Sequence, residues 1–200
     1  MRWFENIHEC YVHDRRTRIL SEHLANLLPN RCRVLDVGSG DGLLGKLTLQ
    51  LRPDITISGI DVLVRPHAHI PTDPYDGKTI PYLNGTFDVV MFMDVLHHTT
   101  DPMILLREAK RVARRTIVIK DHLVDTHFAR QTLRLMDRVG NARHSVSLPY
   151  NYWPKEKWLC AFDTLGLKVE LWTTKLALYP LPASWIFDRS LHFVTRLQLT

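Results

Sequence analysis

Arg33-Val-Leu-Asp-Val-Gly-Ser-Gly-Asp-Gly-Leu-Leu-Gly45 decides how this chain folds. It opens as an apolar run, Val34, Leu35 and Val37, with one carboxylate, Asp36, set into it. It becomes a loop with glycine at 38, 40 and 42, and it ends in a run of helical character, Leu43 to Leu51. Apolar strand, glycine loop, helix is the first βα turn of a doubly wound sheet, where such folds take nucleotide-like ligands. Glycine lets the backbone turn sharply and approach a ligand closely. The helix behind the loop offers unpaired N–H groups. The competing reading is an ordinary tight turn in some other α/β protein.

Glycine spacing narrows the ligand. The dinucleotide fingerprint is G-x-G-x-x-G. Here the pattern is G-x-G-x-G, and Leu43 stands where the third glycine of that fingerprint belongs. No Gly-Lys-Ser/Thr follows, which excludes a P-loop. Ile55-Thr-Ile-Ser-Gly-Ile60 then reads as the second strand and ends on Asp61. A carboxylate there, about 20 residues beyond the loop, is placed to accept from ribose hydroxyls; an exposed turn aspartate is the plainer alternative. Asp76-Gly77 is either a simple turn or a carboxylate and an unhindered backbone set to meet a base. Phe87-Asp-Val-Val-Met-Phe-Met93 is nearly all apolar, as expected of a strand buried on both faces. It runs into Asp94-Val-Leu-His-His-Thr-Thr-Asp-Pro102.

These four stretches, in this order, resemble the class I S-adenosylmethionine-dependent methyltransferases. The resemblance is nearest to the ubiquinone/menaquinone-biosynthesis type and its small-molecule relatives, and it covers about residues 30 to 120. It implies an α/β fold: a Rossmann-like, seven-stranded, mostly parallel sheet with an antiparallel last strand and helices on both faces. It implies S-adenosyl-L-methionine as cofactor and S-adenosyl-L-homocysteine as product. The cofactor residues it implies are Asp36, Gly38, Ser39 and Gly40 in the first loop and Asp61 and Val62 beside the ribose. Asp76 and Gly77 would lie beside the adenine, and Asp94 and Val95 would follow the fourth strand.

Length and composition agree. Two hundred residues, 45% hydrophobic and 24% charged, suit one globular domain. We expect a single domain over 1–200, with 1–29 as a helical cap and 122–165 as a helical insertion covering the acceptor. Cys10, Cys32 and Cys160 form neither a C-x-x-C nor an even set, so a reduced, cytoplasmic setting is expected. No signal pattern and no apolar run of about 18 residues is present. The net charge of +5 is scattered, without the basic stripe of a nucleic-acid surface. The expected partner is a small-molecule acceptor, with the protein a monomer or homodimer and no integral membrane segment.

The chain places further elements. Residues 1–12 read as a short helix and Asp14 to Leu28 as an amphipathic one. A short third strand falls within 62–75. Asp101-Pro102 begins a helix, with Asp at the cap and Pro at the first position. Arg114 to Lys120 is the fifth strand, ending on Asp121-His122. Residues 123–139 read as a helix, 140–153 as a polar-aromatic loop, Pro154 to Leu165 as a helix, and Leu167 to Trp172 and Ser190 to Leu199 as strands.

Methyl transfer from a sulfonium is an in-line displacement, so the protein positions the reactants and excludes water. A hydroxyl or acidic-carbon acceptor gains from a general base, and histidine suits neutral pH. The candidates are His122 after the fifth strand, His98 after the fourth, and His144 in the 140–153 loop. Tyr150, Tyr152 and Trp153 are candidate walls of the acceptor pocket. One of His97 and His98 is expected to face the site while the other packs away. No metal is expected: Asp94 and Asp121 alone do not make the acidic cluster of a catechol-type site, and the His67-x-His69 pair has no nearby third ligand. The expected function is methyl transfer to oxygen or carbon of a small molecule. A non-catalytic cofactor-binding module and a nucleic-acid or protein methyltransferase are the alternatives. The Asn-Pro-Pro-Tyr-type tetrapeptide of many amino-methylating enzymes is absent after strand four.

Overall fold

The computed structural model describes residues 2–125, 130–133, 151–181, 184–187 and 191–200, with side chains of the first helix described from residue 14 onward. Helix α1 runs Arg2–Leu27, one element where the sequence suggested two. No glycine or proline falls between these ends to break it. Strand β1 (Arg33–Val37), helix α2 (Leu43–Leu51), strands β2 (Thr56–Asp61) and β3 (Thr72–Pro74), and strand β4 (Phe87–Met93) follow. A 3-10 turn over Leu96–His98 leads to α3 (Pro102–Val112), β5 (Ala113–His122), α4 (Lys155–Thr164), β6 (Leu167–Thr173), α5 (Ser184–Phe187) and β7 (His192–Leu199). Asp101 caps α3 as expected, its Oδ1 accepting from the Met103 N–H at 2.9 Å.

The seven strands form one sheet in the order β3-β2-β1-β4-β5-β7-β6. β3, β2, β1, β4 and β5 pair in parallel, and β7 is antiparallel to both β5 and β6. Chain direction along the sheet reverses between β1 and β4, so their carboxyl ends open a crevice at the switch point.

Alternation along the central strands builds two cores. On β4, Val90 and Phe92 join the layer made by α3 and α4, with Leu105, Trp158 and Phe162. Val89 and Met91, the intervening residues, join the layer under α1 with Leu20 and Leu24. Successive strand side chains point to opposite faces, so an apolar run with no polar alternate demands cover on both sides.

β5 outruns its expected end and carries Asp121 and His122 inside the strand, because β7 pairs with it as far as His122 opposite His192. After β5, Leu123 bridges Trp153 in parallel and residues 130–133 are helical. The remainder of the expected 123–139 helix and the 140–153 loop, with His144 and Tyr150, lies outside the described residues.

Phe193 fastens β7 to this frame. It is fully buried, stacks on Trp172 at 4.3 Å between centroids and 5°, and lies 5.3 Å from Trp158. Phe193→Ala is expected to lower stability by about 3–5 kcal/mol, the cost of emptying a buried aromatic position. Denaturant unfolding with an unchanged slope checks this; a loss below about 1 kcal/mol would show that the site collapses without penalty.

Candidate active site

The first wall of the crevice is the glycine loop. Gly38, Gly40 and Gly42 have φ of 74°, 60° and 74°, a region that side-chain-bearing residues avoid. A Cβ on Gly38 would lie 2.6 Å from Val95 Cγ2, so the loop after β1 and the turn after β4 touch only because position 38 has no side chain. Nothing lies within 4 Å of where a Cβ on Gly40 would be. The loop therefore presents open backbone at its centre. Gly40 donates its N–H to Asp61 Oδ2 at 2.8 Å, which ties the loop to the end of β2.

Asp36 sits beneath this loop, 2% exposed, and its Oδ1 has no hydrogen-bond partner. Burial pushes its carboxyl up to about 7, and the negative charge of Asp61 adds to the rise. A buried carboxyl without a partner is costly. Beside it, Asp61 Oδ1 accepts from the Leu63 N–H at 2.8 Å. Each Asp61 oxygen keeps lone-pair capacity for a further donor.

Ser39 lies over Gly59, where a Cβ would meet its Oγ at 2.3 Å. Val62 is 64% exposed, and Gly77, with φ of 78°, approaches it closely enough that a Cβ would lie 3.1 Å from Val62 Cγ1. Asp76 Oδ1 accepts from the N–H groups of Lys78 (2.8 Å) and Thr79 (2.6 Å). These bonds make the turn that the plainer reading anticipated, and they hold its carboxyl below the usual range. Asp61, Val62, Asp76 and Gly77 thus share one rim, opposite Val95.

The second wall is a buried polar cluster at the ends of β4, β5 and β7. Lys120, fully buried, donates to Asp94 and lies 3.3 Å from His192 Nδ1. Arg16 reaches from α1 to Asp94 Oδ2 at 3.7 Å, and its guanidinium lies 5.3 Å over the Tyr179 ring. Asp94 itself has φ of 60°, a strained setting that aspartate tolerates better than most. Burial would raise the Asp94 carboxyl, but Lys120, His122 and Arg16 hold it well below the usual carboxylate range.

His97, Asp121 and His122 form the other half of the cluster. Asp121 Oδ1 lies 2.7 Å from His97 Nδ1, and Oδ2 accepts from the N–H groups of Leu96 (3.0 Å) and His97 (3.3 Å). His122 Nδ1 lies 3.2 Å from His97 Nδ1. Burial would raise the Asp121 carboxyl too, but the His97 charge and the bonds from both histidines keep it low. Burial, then the His97 charge, pushes the His122 imidazole down, against the Asp121 hydrogen bond. The Tyr152 ring stacks on His97 and meets His122 edge-on, both at 5.7 Å.

Of the pair after β4, His97 is therefore buried in the cluster, while His98 is half-buried. Trp153 packs into the core on Trp158. His67 and His69 are both exposed. Sequence reading passed over Arg16, Lys120, Tyr179 and His192. Lys120 carried a signal, a charge closing the apolar run Ile117-Val118-Ile119; the other three depend on helix and strand register.

The chain matches the family described as "Methyltransferase domain" over residues 11–171. It is 29% identical over 133 residues to 27-O-demethylrifamycin SV methyltransferase of Amycolatopsis mediterranei, covering 56% of this chain and 48% of that protein. It is 30% identical over 110 residues to the mitochondrial ubiquinone biosynthesis O-methyltransferase of Saccharomyces cerevisiae, covering 48% of this chain and 35% of that protein. The chain thus spans half or less of the length of these relatives. A SAM-dependent methyltransferase structure from Aquifex aeolicus superposes with a TM-score of 0.62 at 17% identity, over 90% of this chain and 89% of that one.

Asp36 gives this site a pH signature. An unfolded aspartate ionises near pH 3.9, whereas Asp36 in the fold holds its proton up to about 7. The folded state thus binds the extra proton, and stability falls as pH rises through that window, by up to about 4 kcal/mol. Asp36→Asn should remove that fall. Thermal unfolding of both proteins from pH 4 to 8, without ligand, is the measurement; parallel curves would show that Asp36 ionises normally.

Proposed function

Because the chain belongs to the methyltransferase-domain family, we propose that it is an S-adenosyl-L-methionine-dependent methyltransferase acting on a small-molecule acceptor. The observation that carries this is the first wall: an open glycine loop with an unpartnered buried carboxyl under it and a second carboxyl at its edge. The cofactor offers a cationic ammonium, a ribose diol and an amino-substituted flat ring, and each has a chemical complement here. Asp36 suits the ammonium and Asp61 the diol. Val62 and Gly77 offer an apolar, unhindered rim for the ring, and Asp76 keeps one oxygen for its amine. Gly38, Ser39 and Gly40 supply backbone at close range, and Asp94 and Val95 close the far side. When bound, the cofactor supplies an electrophilic methyl group and leaves as S-adenosyl-L-homocysteine.

Oxygen is the favoured acceptor atom. Both relatives carry an O-methylated position or O-methyltransferase in their names. The second wall supports the same choice, because an acceptor hydroxyl must lose its proton and a cluster of histidines and carboxylates handles protons. We assign that task to the cluster containing His122, with His98 at its border; His144, the third candidate base, lies outside the described residues. Helix α1 is the cap, and Arg16 is its reach into the site.

Calorimetric titration with S-adenosyl-L-homocysteine tests the cofactor assignment. Micromolar binding is expected, and silence at millimolar ligand would sink it. Asp61→Ala should weaken binding at least tenfold, about 1.4 kcal/mol; unchanged affinity would remove Asp61 from the ribose site. A screen with labelled cofactor over phenols, quinols, carboxylates and amines addresses the acceptor. Transfer to hydroxyl-bearing compounds is expected, and transfer only to amines would overturn the oxygen assignment.

A further inference from the structure

Three ligand-type atoms converge in the second wall. His97 Nδ1, His122 Nδ1 and Asp121 Oδ1 lie 2.7, 3.2 and 3.5 Å from one another. Their residues are 1%, 4% and 0% exposed. A proton on either imidazole nitrogen satisfies one contact of the triangle at a time. A cation at its centre satisfies all three, and the triangle has the right size for one. Donors around tetrahedral zinc, with bonds of about 2.0 Å, sit about 3.3 Å apart. Adjustments of a few tenths of an ångström would close the ring.

The surroundings hold these atoms in place. Asp121 Oδ2 is fixed by the backbone N–H groups of Leu96 and His97, which turns Oδ1 inward. Supports of this kind orient metal ligands. The Tyr152 ring packs on both imidazoles. A second trio, Asp94, His122 and His192, stands next to the first. Its cation is already present: the Lys120 ammonium contacts Asp94 and His192. The two trios therefore differ: Lys120 stands in the second, whereas in the first Asp121 Oδ1 meets both imidazoles and also accepts from the His122 N–H at 2.7 Å.

We propose that His97, Asp121 and His122 bind one divalent transition-metal ion, with zinc the best match to two imidazoles and a carboxylate. Three protein ligands leave a fourth position. Asp121 balances only one of the two charges, and Asp94 is already matched by Lys120. Among the described residues no fourth protein ligand joins them, and water, hydroxide or the ionised hydroxyl of an acceptor suits that position. The sequence reading looked for an acidic, catechol-type site and expected no metal; this ligand set is histidine-rich instead. The inference goes beyond the methyltransferase reading and does not depend on it.

The test uses the full chain, free of any affinity tag, stripped with chelator and titrated with Co2+ and then Zn2+. One equivalent of Co2+ should bind with the visible absorption of a four-coordinate centre, and Zn2+ should displace it. Asp121→Asn and His97→Gln should each weaken binding at least tenfold. The paired variant His67→Gln with His69→Gln, which removes the exposed histidines, should bind as the parent does. Failure of the parent protein to bind Co2+ at tens of micromolar, a result that needs no variant to fold, overturns the proposal. So does loss of binding in the His67/His69 variant. Titration of the same metal-free sample with S-adenosyl-L-homocysteine reads the cofactor site separately, so the two proposals fail independently.

Discussion

A lysine ammonium with no access to water sets the terms for half of this molecule. Lys120 sits on β5, in the middle of the sheet, paired across to Met93 on β4 and Val194 on β7. An ammonium there is tolerated only when paired and hydrogen-bonded. Asp94 supplies the pair, and to do so its backbone enters the left-handed region as β4 ends. That turn throws the chain into the Leu96–His98 segment, which carries His97 onto Asp121. Arg16 balances the carboxylate from the other side and so draws α1 over the carboxyl edge. One desolvated charge thus links α1, β4, β5 and β7.

The two walls use buried charge in opposite ways. In the second wall the described ions are matched: Asp94 by Lys120 and Arg16, Asp121 by histidine and backbone donors. Hydrogen-bonded networks of this kind rigidify the groups they hold. In the first wall burial and the Asp61 charge raise the cost of ionising Asp36. Among the described residues, backbone N–H groups answer Asp61 and nothing answers Asp36 Oδ1. That deficit is what the proposed cationic ammonium of the cofactor would offset.

Legibility in the sequence followed the same division. Asp36, the three glycines, Asp61 and Asp94 each end or follow a strand whose apolar run is unmistakable, so position along the chain fixes position in the crevice. The mostly parallel sheet with an antiparallel last strand was implied by the family resemblance, and the strand order came only with the structure. Arg16, Tyr179 and His192 could not be placed that way, since each reaches the site from an element whose register is set by distant packing. Arg16 depends on which face of a 26-residue helix meets the sheet. His97 and His98 are adjacent in sequence, and burial with the hydrogen bond to Asp121 sets His97 apart.

His192 shows why the usual rule for finding such sites falls short. In doubly wound sheets, ligands sit beyond the carboxyl ends of the parallel strands, so a reader scans strand ends. β7 runs the other way. Its first residue, not its last, lies at that edge, paired with the last residue of β5. A histidine that opens an antiparallel strand is therefore in the site, while the end of that strand is at the opposite pole of the sheet, beside Leu167. The antiparallel strand brings a new kind of position to the crevice, one whose backbone enters the site from outside the parallel repeat. In this fold the start of the last strand belongs on the same footing as the ends of the first five.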